Sequence, residues 1–437
     1  MMSSMYAGVS GLRAHQTKMD VIGNNIANVN TLGYRSSRVT FQEIFSQTIK
    51  GASSPDPNTG RGGSNPMQVG LGINVGSIDM VTNKGSLQRT DNVTDLSIDG
   101  EGFFIVKGSD ADSYMFTRAG NFTFDRLGNL VTSSGMSVYG WMDYGGKMED
   151  DGTYNYDVNK PVESINIYSD DYNKNKKVIA AKATENIALT GNLDAANSII
   201  ANTDEAQFLV PMIVYDTLGN EYEITMEYRK TAVNAGTGTT WTWKIGNGEL
   251  ATTATGTIDF DTNGEIINGA NVTPTIVFQP KDDVGSSSFE VKMNFNKLTM
   301  YSGIESSVKP LNTDGYSSGM LTSYNIGSDG IIMGVYSNGK QKPLGMIGLA
   351  EFDNPAGLQK TGENMFLTTS NSGEFRKAIK AGSGRAGTLN PGTLEMSNVD
   401  LANQFTDMII TQRGFQANSR IMTTVDEMLQ EMANMKR

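Results

Sequence analysis

Apolar residues recur every seven positions at both ends of the chain. Near the N-terminus, two further residues lie three positions after the last two members, and the full set is Met5, Leu12, Met19, Ile22, Ile26 and Val29. Near the C-terminus, the set is Leu401, Met408, Phe415, Met422, Val425, Leu429 and Met432. This spacing places the side chains on one narrow face of a helix, of the kind that packs against another helix. We therefore predict a helix at each end of the chain.

Polar residues mark the ends of these two helices. Ser3 or Ser4 is the predicted N-cap of the first helix, and Ser397 is that of the second, with Asp400 three residues later in a near capping box. The first helix is predicted to stop at GNNIANVNT (23–31), because Asn and Gly compete for backbone hydrogen bonds and tolerate left-handed conformations. The second is predicted to run to the end of the chain.

Between the helices, short apolar runs alternate with turn-forming residues. Four segments set Asp, Asn and Gly between apolar or β-branched flanks and are predicted hairpins: FDRLGNL (124–130), YDTLGNE (215–221), FDTNGEI (260–266) and IGSDGII (326–332). The segment GASSPDPNTGRGGSNP (51–66) is predicted to be a flexible, exposed connector. The predicted fold class is mainly β with terminal α-helices, and the β part forms two blocks.

The terminal helices need a partner for their apolar faces. Gly8, Gly11 and Gly23 lie in the first helix, and each costs about 1 kcal/mol relative to Ala in a helix interior. Such a helix is marginal alone in water. One interpretation is an intramolecular pair of helices packed on a globular body. The other is that identical copies bury each other's apolar faces, so that the helices form fully only on assembly.

Composition narrows the class of protein. The chain has 437 residues, which favours two to four domains. Its formal charge of −12 argues against a nucleic-acid partner. No segment approaches the ~18 consecutive apolar residues of a membrane span, and no secretory signal is expected in the first thirty residues. Cysteine is absent, which excludes disulfides, thiolate metal sites and cysteine nucleophiles.

No catalytic, cofactor or metal site is predicted. GLGINVG (70–76) lacks the third glycine of a dinucleotide-binding fingerprint, and a glycine-rich strand edge is favoured. DFDTNGEIINGA (259–270) resembles a calcium loop but ends in Ala270 where a bidentate Glu is required, so a hairpin turn is favoured. His15 is the one histidine, and it lies in the apolar-striped first helix. We predict that the protein is not an enzyme.

Four motifs, taken in order, resemble the rod and hook family of bacterial flagellar axial proteins. GNNIANVNTLGYR (23–35), preceded by MYAGVSGL (5–12), resembles the N-terminal signature of that family. GTLEMSNVDLANQFTDMIITQRGFQANSR (392–420) resembles its C-terminal signature. DLSIDGEGFFIV (95–106) and FTRAGNFTFDRLGNLV (116–131) resemble its shared β domain. The resemblance covers roughly the first 145 and the last 110 residues.

The resemblance implies a coiled-coil-like pair of N- and C-terminal helices plus two stacked β domains. The implied divisions are an inner helical assembly domain (1–30 with 398–437), a flexible linker (31–70), an inner β domain (71–145 with 299–397) and an outer β domain (146–298). The large central insertion favours the hook members of the family over the rod members. A hook member would self-assemble into a hollow curved tube, a flexible joint that transmits torque from rod to filament.

The resemblance also implies partners, location and contact residues. The implied partners are the chain itself, the distal rod protein, the hook-cap protein, the hook–filament junction protein and the flagellar type III export apparatus. The implied location is extracellular, in the flagellar basal body and hook. The implied subunit-assembly residues are Met5, Leu12, Met19, Ile22, Asn24, Asn25, Ile26, Asn28, Leu401, Met408, Phe415, Met422, Val425 and Leu429. The three asparagines end the helix, and their amides could also bond backbone where neighbouring subunits cross.

Two alternatives remain at this stage. The chain could be a distal rod protein of the same family, a stiff shaft that would have no outer domain. It could also be a non-flagellar exported β-rich binding protein whose terminal helices are incidental. Some hooks of this family crosslink their subunits through chemistry that begins at a cysteine, and that route is closed here.

Overall fold

The computed structural model describes residues 2–55, 62–107, 113–142, 156–170, 174–200, 206–234, 236, 238–246, 250, 252–267, 272–280 and 285–435. Helix α1 (Met2–Ala27) and helix α2 (Leu401–Met435) lie at the two ends, and strands fill the chain between them. The prediction of a mainly β protein with terminal α-helices is therefore confirmed.

The strands are numbered along the chain. The first half contains β1 Ser37–Glu43, β2 Ser46–Lys50, β3 Met67–Gly70, β4 Ile73–Met80, β5 Leu87–Arg89, β6 Leu96–Asp99, β7 Phe103–Lys107, β8 Met115–Thr117, β9 Thr123–Phe124, β10 Leu130–Val131, β11 Ser137–Trp141, β12 Glu163–Ser164, β13 Ser169–Asp170, β14 Lys174–Asn175, β15 Val178–Ile179, β16 Asn186–Asn192 and β17 Phe208–Tyr215. The second half contains β18 Glu221–Asn234, β19 Gly238–Gly246, β20 Thr253–Phe260, β21 Thr275–Phe278, β22 Phe289–Thr299, β23 Lys309–Thr313, β24 Gly319–Ile326, β25 Ile331–Tyr336, β26 Gln341–Ala350, β27 Gln359–Gly362, β28 Met365–Leu367, β29 Ile379–Lys380, β30 Thr388–Pro391 and β31 Thr393–Glu395.

The helix starts differ from the predicted caps. Asp400 is the N-cap of α2, because its carboxylate accepts hydrogen bonds from the backbone N–H groups of Ala402 (2.9 Å) and Asn403 (3.2 Å). The prediction of Ser397 was wrong, since its hydroxyl accepts instead from the N–H of Val399 at 3.3 Å. A carboxylate at this point also faces the positive end of the helix dipole.

At the other end of the chain, α1 begins at Met2, before both serines proposed as its cap, so that prediction was also wrong. Its predicted stop at the Asn-rich motif agrees with the structure, where α1 ends at Ala27.

The chain folds into two compact units. Unit 1 comprises residues 1–174, 325–333 and 343–437, and unit 2 comprises residues 175–324 and 334–342. The predicted outer domain ended at 298, yet the chain stays in unit 2 beyond that point because β23 pairs with β16, with Thr313 opposite Ile187. The predicted boundary at 145/146 lies outside the described residues.

Unit 1 contains both helices and a β domain with an aromatic core. Strands β26, β11, β7, β8, β28 and β27 are hydrogen-bonded in that order. Side chains from these strands and their loops pack edge to face, as Phe116 does on Phe352 with ring centroids 4.8 Å apart. Alternation of buried and exposed residues is lost in β7, which is buried over Phe103–Val106 because both of its faces are covered.

Unit 2 contains two four-stranded sheets around one core. The first has the order β17-β18-β19-β20 and the second β21-β22-β16-β23. In β19, residues alternate between buried and half-buried positions, so Trp241 and Trp243 both face the core. In the second sheet, β16 runs parallel to β22 and antiparallel to β23.

All four predicted hairpin segments contain tight turns. In each, an Asp carboxylate accepts a backbone N–H two or four residues later, as Asp216 does from Leu218 and Asn220 (both 2.9 Å). The glycines of these turns have positive φ, for example 89° at Gly219. Asp261 uses its carboxylate in such a turn, and the last three residues of the calcium-like segment lie outside the described residues.

The segment predicted as a flexible linker, 31–70, contains three strands. Strand β1 forms an antiparallel pair with β4, in which Ser37 lies opposite Met80. Strands β2 and β3 pair with each other. Alternating β-branched and polar residues support these strands, although Gly and Ser dominate the connector between β2 and β3. Residues 56–61 of that connector lie outside the described residues.

Candidate subunit-assembly surface

The two terminal helices form an antiparallel pair. Near the end of α1, the Asn25 side-chain amide donates to Gln404 Oε1 at 3.1 Å, close to the start of α2. Nearer the start of α1, Gly11 faces Asn418 in the second half of α2. Early residues of one helix therefore meet late residues of the other.

Glycines allow the helices to approach closely. A Cβ on Gly11 would lie 2.7 Å from the Asn418 side chain, and a Cβ on Gly414 would lie 2.8 Å from the His15 ring. The sequence analysis counted Gly8 and Gly11 as costs to an isolated helix. The structure places both against α2, where the missing side chains make room for the partner helix.

The buried residues of α1 differ from most of the predicted apolar seam. The buried residues of α1 are Gly8, Gly11, Ala14, Ile22 and Asn25. The predicted residues Met5, Leu12, Met19 and Ile26 are half-buried, and Ile22 alone of the predicted apolar set is buried. A hydrophobic period identifies large apolar side chains. It does not identify buried positions that are occupied by glycine, alanine or asparagine.

Helix α2 leaves most of its apolar residues uncovered. Of its predicted contact residues, Val425 is buried, Met408, Phe415 and Met422 are half-buried, and Leu401 and Leu429 are exposed. The sequence analysis missed further exposed apolar residues, namely Phe405, Ile409, Ile410, Ile421 and Met428. Ile409 and Ile410 are 58% and 59% exposed. Several of these residues are three, four or seven positions apart, as residues on one face of a helix are. The sequence could therefore have predicted a wider apolar face.

The asparagines of the segment GNNIANVNT (23–31) have separate roles. Asn25 is 1% exposed, and its amide also donates to Ser37 O at 2.8 Å while its Oδ1 accepts from Ser37 N at 3.0 Å and from the Tyr34 hydroxyl at 3.3 Å. These bonds tie the end of α1 to β1, and none of the capacity of this amide is left over for another chain. Asn28 donates to Asn24 O at 2.9 Å and closes the last turn of α1.

Strand β1 also packs against α1. The ring of His15 meets that of Phe41 edge to face, with centroids 5.6 Å apart. The Nδ1 atom of His15 is buried without a hydrogen-bond partner. Burial, and then the charge of Lys18, lowers the pKa of His15 below its ordinary value. Lys18 itself pairs with Asp407 across the helix pair at 3.3 Å.

A buried ion cluster joins the helix pair to the β domain of unit 1. Glu395, six residues before α2, is fully buried and pairs with Arg35 at 2.8 Å and with Arg118 at 3.3 Å. Its Oε1 also accepts from the N–H of Gly85 at 3.0 Å, and its backbone carbonyl accepts from Gly33 at 2.8 Å. The residues leaving α1 and those entering α2 are thereby held at one point.

Burial also affects the pKa of Arg118 in this cluster. It lowers the pKa of Arg118 to about 10, which still leaves the guanidinium charged at neutral pH. One carboxylate therefore faces two buried positive charges. Arg35, Arg118 and Glu395 lie in three of the family motifs, and no role was predicted for them from the sequence. Arg118 and Glu395 are more than 270 positions apart in the chain, so no local sequence pattern indicates that they pair.

Family models match four segments of the chain. "Flagella basal body rod protein" matches residues 5–35 and "Flagellar basal body rod FlgEFG protein C-terminal" matches residues 390–435. "Flagellar hook protein FlgE/F/G D1 domain" matches residues 97–174, and "Flagellar basal body protein FlaE D2 domain" matches residues 182–316. The first covers most of α1, the second contains α2, and the last lies within unit 2.

Full-length relatives decide the family. The chain is 38% identical to the flagellar hook protein FlgE of Borreliella burgdorferi and 36% identical to that of Treponema pallidum, and each match covers 100% of both chains. The chain belongs to the flagellar hook protein FlgE family. The chain is also similar to a rod protein. It is 30% identical to the flagellar basal-body rod protein FlgG of Bacillus subtilis over 100% of both chains.

A solved structure of a hook protein has the same fold. The crystal structure of Helicobacter pylori flagellar hook protein FlgE2 matches this FlgE-family chain with a TM-score of 0.50 at 15% identity, covering 69% of this chain and 99% of that one. In the part of this chain that the structure describes, no helix is long and apolar enough to cross a membrane. Those same residues contain no group of three or more His, Cys, Asp or Glu placed to hold a metal ion.

Proposed function

We propose that this chain is the structural subunit of the flagellar hook and polymerises with copies of itself into a hollow curved tube. The observation that carries the proposal is the exposed apolar surface of α2, which persists although α1 and α2 are already packed together. Water contact with Phe405, Ile409 and Ile410 is unfavourable, and burying this area between copies would drive association.

The proposed contact residues follow from the same surface. Neighbouring copies would bury the area of these side chains that one chain leaves exposed. The side chains are those of Met5, Leu12, Met19, Ile26, Leu401, Met408, Phe415, Met422 and Leu429. Asn24 remains exposed and is available to a neighbour, whereas Ile22, Asn25 and Val425 act within the chain. Helical assembly of this kind makes each copy contact several others through different patches.

The further features of the proposal are those of the family. The tube would act as a flexible joint that transmits torque from rod to filament, outside the cell. Its neighbours would be the distal rod protein, the hook-cap protein and the hook–filament junction protein, and its route out would be the flagellar type III export apparatus. We propose no enzymatic activity and no cofactor.

A distal rod protein is the second candidate, supported by the similarity to the rod protein FlgG. Rod members of the family are expected to have no large outer domain. Unit 2 of this chain comprises residues 175–324 and 334–342, and a D2-domain model matches residues 182–316. That domain favours the hook over the rod.

Substituting one exposed residue of α2 tests the proposal. Ile409→Asp should leave the monomer folded, because the side chain is 58% exposed, and should abolish tubes, because a carboxylate buried between copies costs several kcal/mol. Negative-stain electron microscopy of the concentrated protein would show curved tubes for the parent chain and none for the variant.

The matched control is Gln412→Asp, which adds the same charge at an exposed polar position of the same helix. It should retain tubes. Normal tubes from Ile409→Asp would contradict burial of this surface on assembly.

A further inference from the structure

The C-terminal end of α2 extends beyond α1. Helix α1 has 26 residues and α2 has 35, which correspond to about 39 Å and 52 Å. Gly8 faces Ile421 and Met422, so residues after about 428 lie level with or beyond the start of α1. We name residues 428–435 the α2 overhang. Its exposed apolar residues are Met428, Leu429, Met432 and Met435.

The opposite end of the helix pair carries an open cleft. It has a volume of about 320 Å³ and lies between the last two turns of α1, the start of β1 and strand β4. It is lined by Thr17, Asp20, Val21, Asn24, Asn25, Tyr34, Ser37, Ile78 and Lys360. Ile78 is 52% exposed, so the cleft offers apolar as well as polar contacts.

Lys360 brings a positive charge to this cleft, and Asp20 brings a negative one. Its ammonium donates to Arg35 O at 2.7 Å and lies 4.7 Å from the centroid of the Tyr34 ring. Among the described residues, no carboxylate lies within ion-pair distance of it, and burial lowers the pKa of Lys360. The α2 overhang carries Glu431 next to its methionines. Glu431 is therefore a counter-ion for Lys360, and the methionines match the exposed apolar surface of Ile78.

We infer that the α2 overhang of one copy docks in the cleft of a second copy, with Glu431 paired to Lys360. This inference rests on the proposed function and names one contact within the polymer. A chain cannot fill its own cleft with its own overhang, because at least about 20 Å of helix separates Met2 from Thr17. Two different patches at opposite ends of the helix pair join copies head to tail, and such contacts generate open polymers.

Charge exchange tests the ion pair. Lys360→Glu and Glu431→Lys should each raise the protein concentration needed for tube formation about five- to tenfold, because each places like charges together. The double variant should restore it to within about twofold of the parent. Lys309→Glu is the control for net charge, at an exposed position in unit 2, and should have little effect. Failure of the double variant to recover would overturn the ion pair.

Cysteine crosslinking tests the contact itself. The chain has no cysteine, so Met432→Cys in one population and Ile78→Cys in another provide the sole thiols. Oxidation of tubes assembled from the mixture should give a dimer joining one of each, because docking would bring the two Cβ atoms within disulfide range. Met432→Cys mixed with Leu209→Cys, an exposed position in unit 2, should give none.

The outcomes separate this inference from the proposed function. Normal tubes without the mixed dimer, or with dimers between two Met432→Cys chains, would overturn the head-to-tail contact and leave the hook assignment standing. A parent chain that forms no tubes under any condition would overturn the proposed function. Circular dichroism of each variant at low concentration checks that the monomer is folded.

Discussion

Glu395 connects three parts of unit 1 through one side chain. It meets Arg35 after α1, Arg118 in the β domain and the backbone of Gly85, while its own position lies just before α2. A hook subunit must pass mechanical load between its helices and its β domain. A buried, multiply bonded carboxylate gives that connection a single geometry, because any displacement would leave buried charges unpaired.

Removing the charge of Glu395 should therefore loosen this connection. Glu395→Gln keeps the shape of the side chain and leaves Arg35 and Arg118 buried without a counter-ion, which should lower the free energy of unfolding of unit 1 by about 3–5 kcal/mol. Amide hydrogen exchange should accelerate over residues 31–36 and 390–398. Unchanged exchange in these residues would show that the surrounding hydrogen bonds hold the connection without the charge of Glu395.

The control for this substitution is Glu101→Gln. Glu101 is 59% exposed in its side chain and pairs with Arg385 at 2.9 Å. An exposed pair is worth at most about 1 kcal/mol, so exchange should hardly change.

The single histidine makes the helix pair sensitive to pH. His15 lies between Gly414 of α2 and Phe41 of β1, and its pKa is lowered from 6.5 by burial and then by Lys18. The unfolded chain accepts the proton more readily than the folded chain. The contribution of His15 to stability is therefore full above about pH 6.5 and falls as the pH drops from there through the folded pKa.

A proton NMR titration would give one histidine signal, with a midpoint below 6.5. Lys18→Met should raise the midpoint, because it removes the nearby positive charge. His15→Gln should weaken the dependence of the free energy of unfolding on pH below about 6.5. A midpoint at or above the ordinary value would refute the buried placement of the ring.

At the scale of elements, the contact between α1 and α2 is built from small residues. Glycine lowers helix propensity, yet it lets two helix backbones approach where a side chain would obstruct them. The apolar faces of α2 then remain beside this contact and exposed to water. The helix pair thus buries part of its own surface and leaves apolar residues of α2 exposed.

Two glycine substitutions distinguish the effect of helix propensity from the effect of packing between the helices. Gly23→Ala should stabilise α1 by about 1 kcal/mol, since a Cβ there meets nothing within 4 Å. Gly414→Ala should be destabilising by about 1–2 kcal/mol, because its Cβ would lie 2.8 Å from the His15 ring. Thermal unfolding followed by the helical circular dichroism signal compares the two. Equal stabilisation by both would contradict the close approach at Gly414.

For the whole molecule, the strands between the terminal helices form two units with separate cores. Unit 2 completes two four-stranded sheets around Trp241 and its neighbours, and unit 1 joins both chain ends to its own β domain. The chain passes between the units at residues 174/175, 324/325, 333/334 and 342/343. Because unit 2 is inserted in unit 1, both terminal helices belong to the same compact unit.

The sequence alone determined the fold class, the four turns, the end of α1 and the family. Each of these depends on local chemistry: helical periods, Asp and Gly at fixed offsets, and signature motifs. The tertiary structure alone decided which face of α1 meets α2, the strands within residues 31–70, and the ion cluster at Glu395. These depend on partners hundreds of residues away, and a period of large apolar residues cannot identify a contact made by glycines, amides and buried charges.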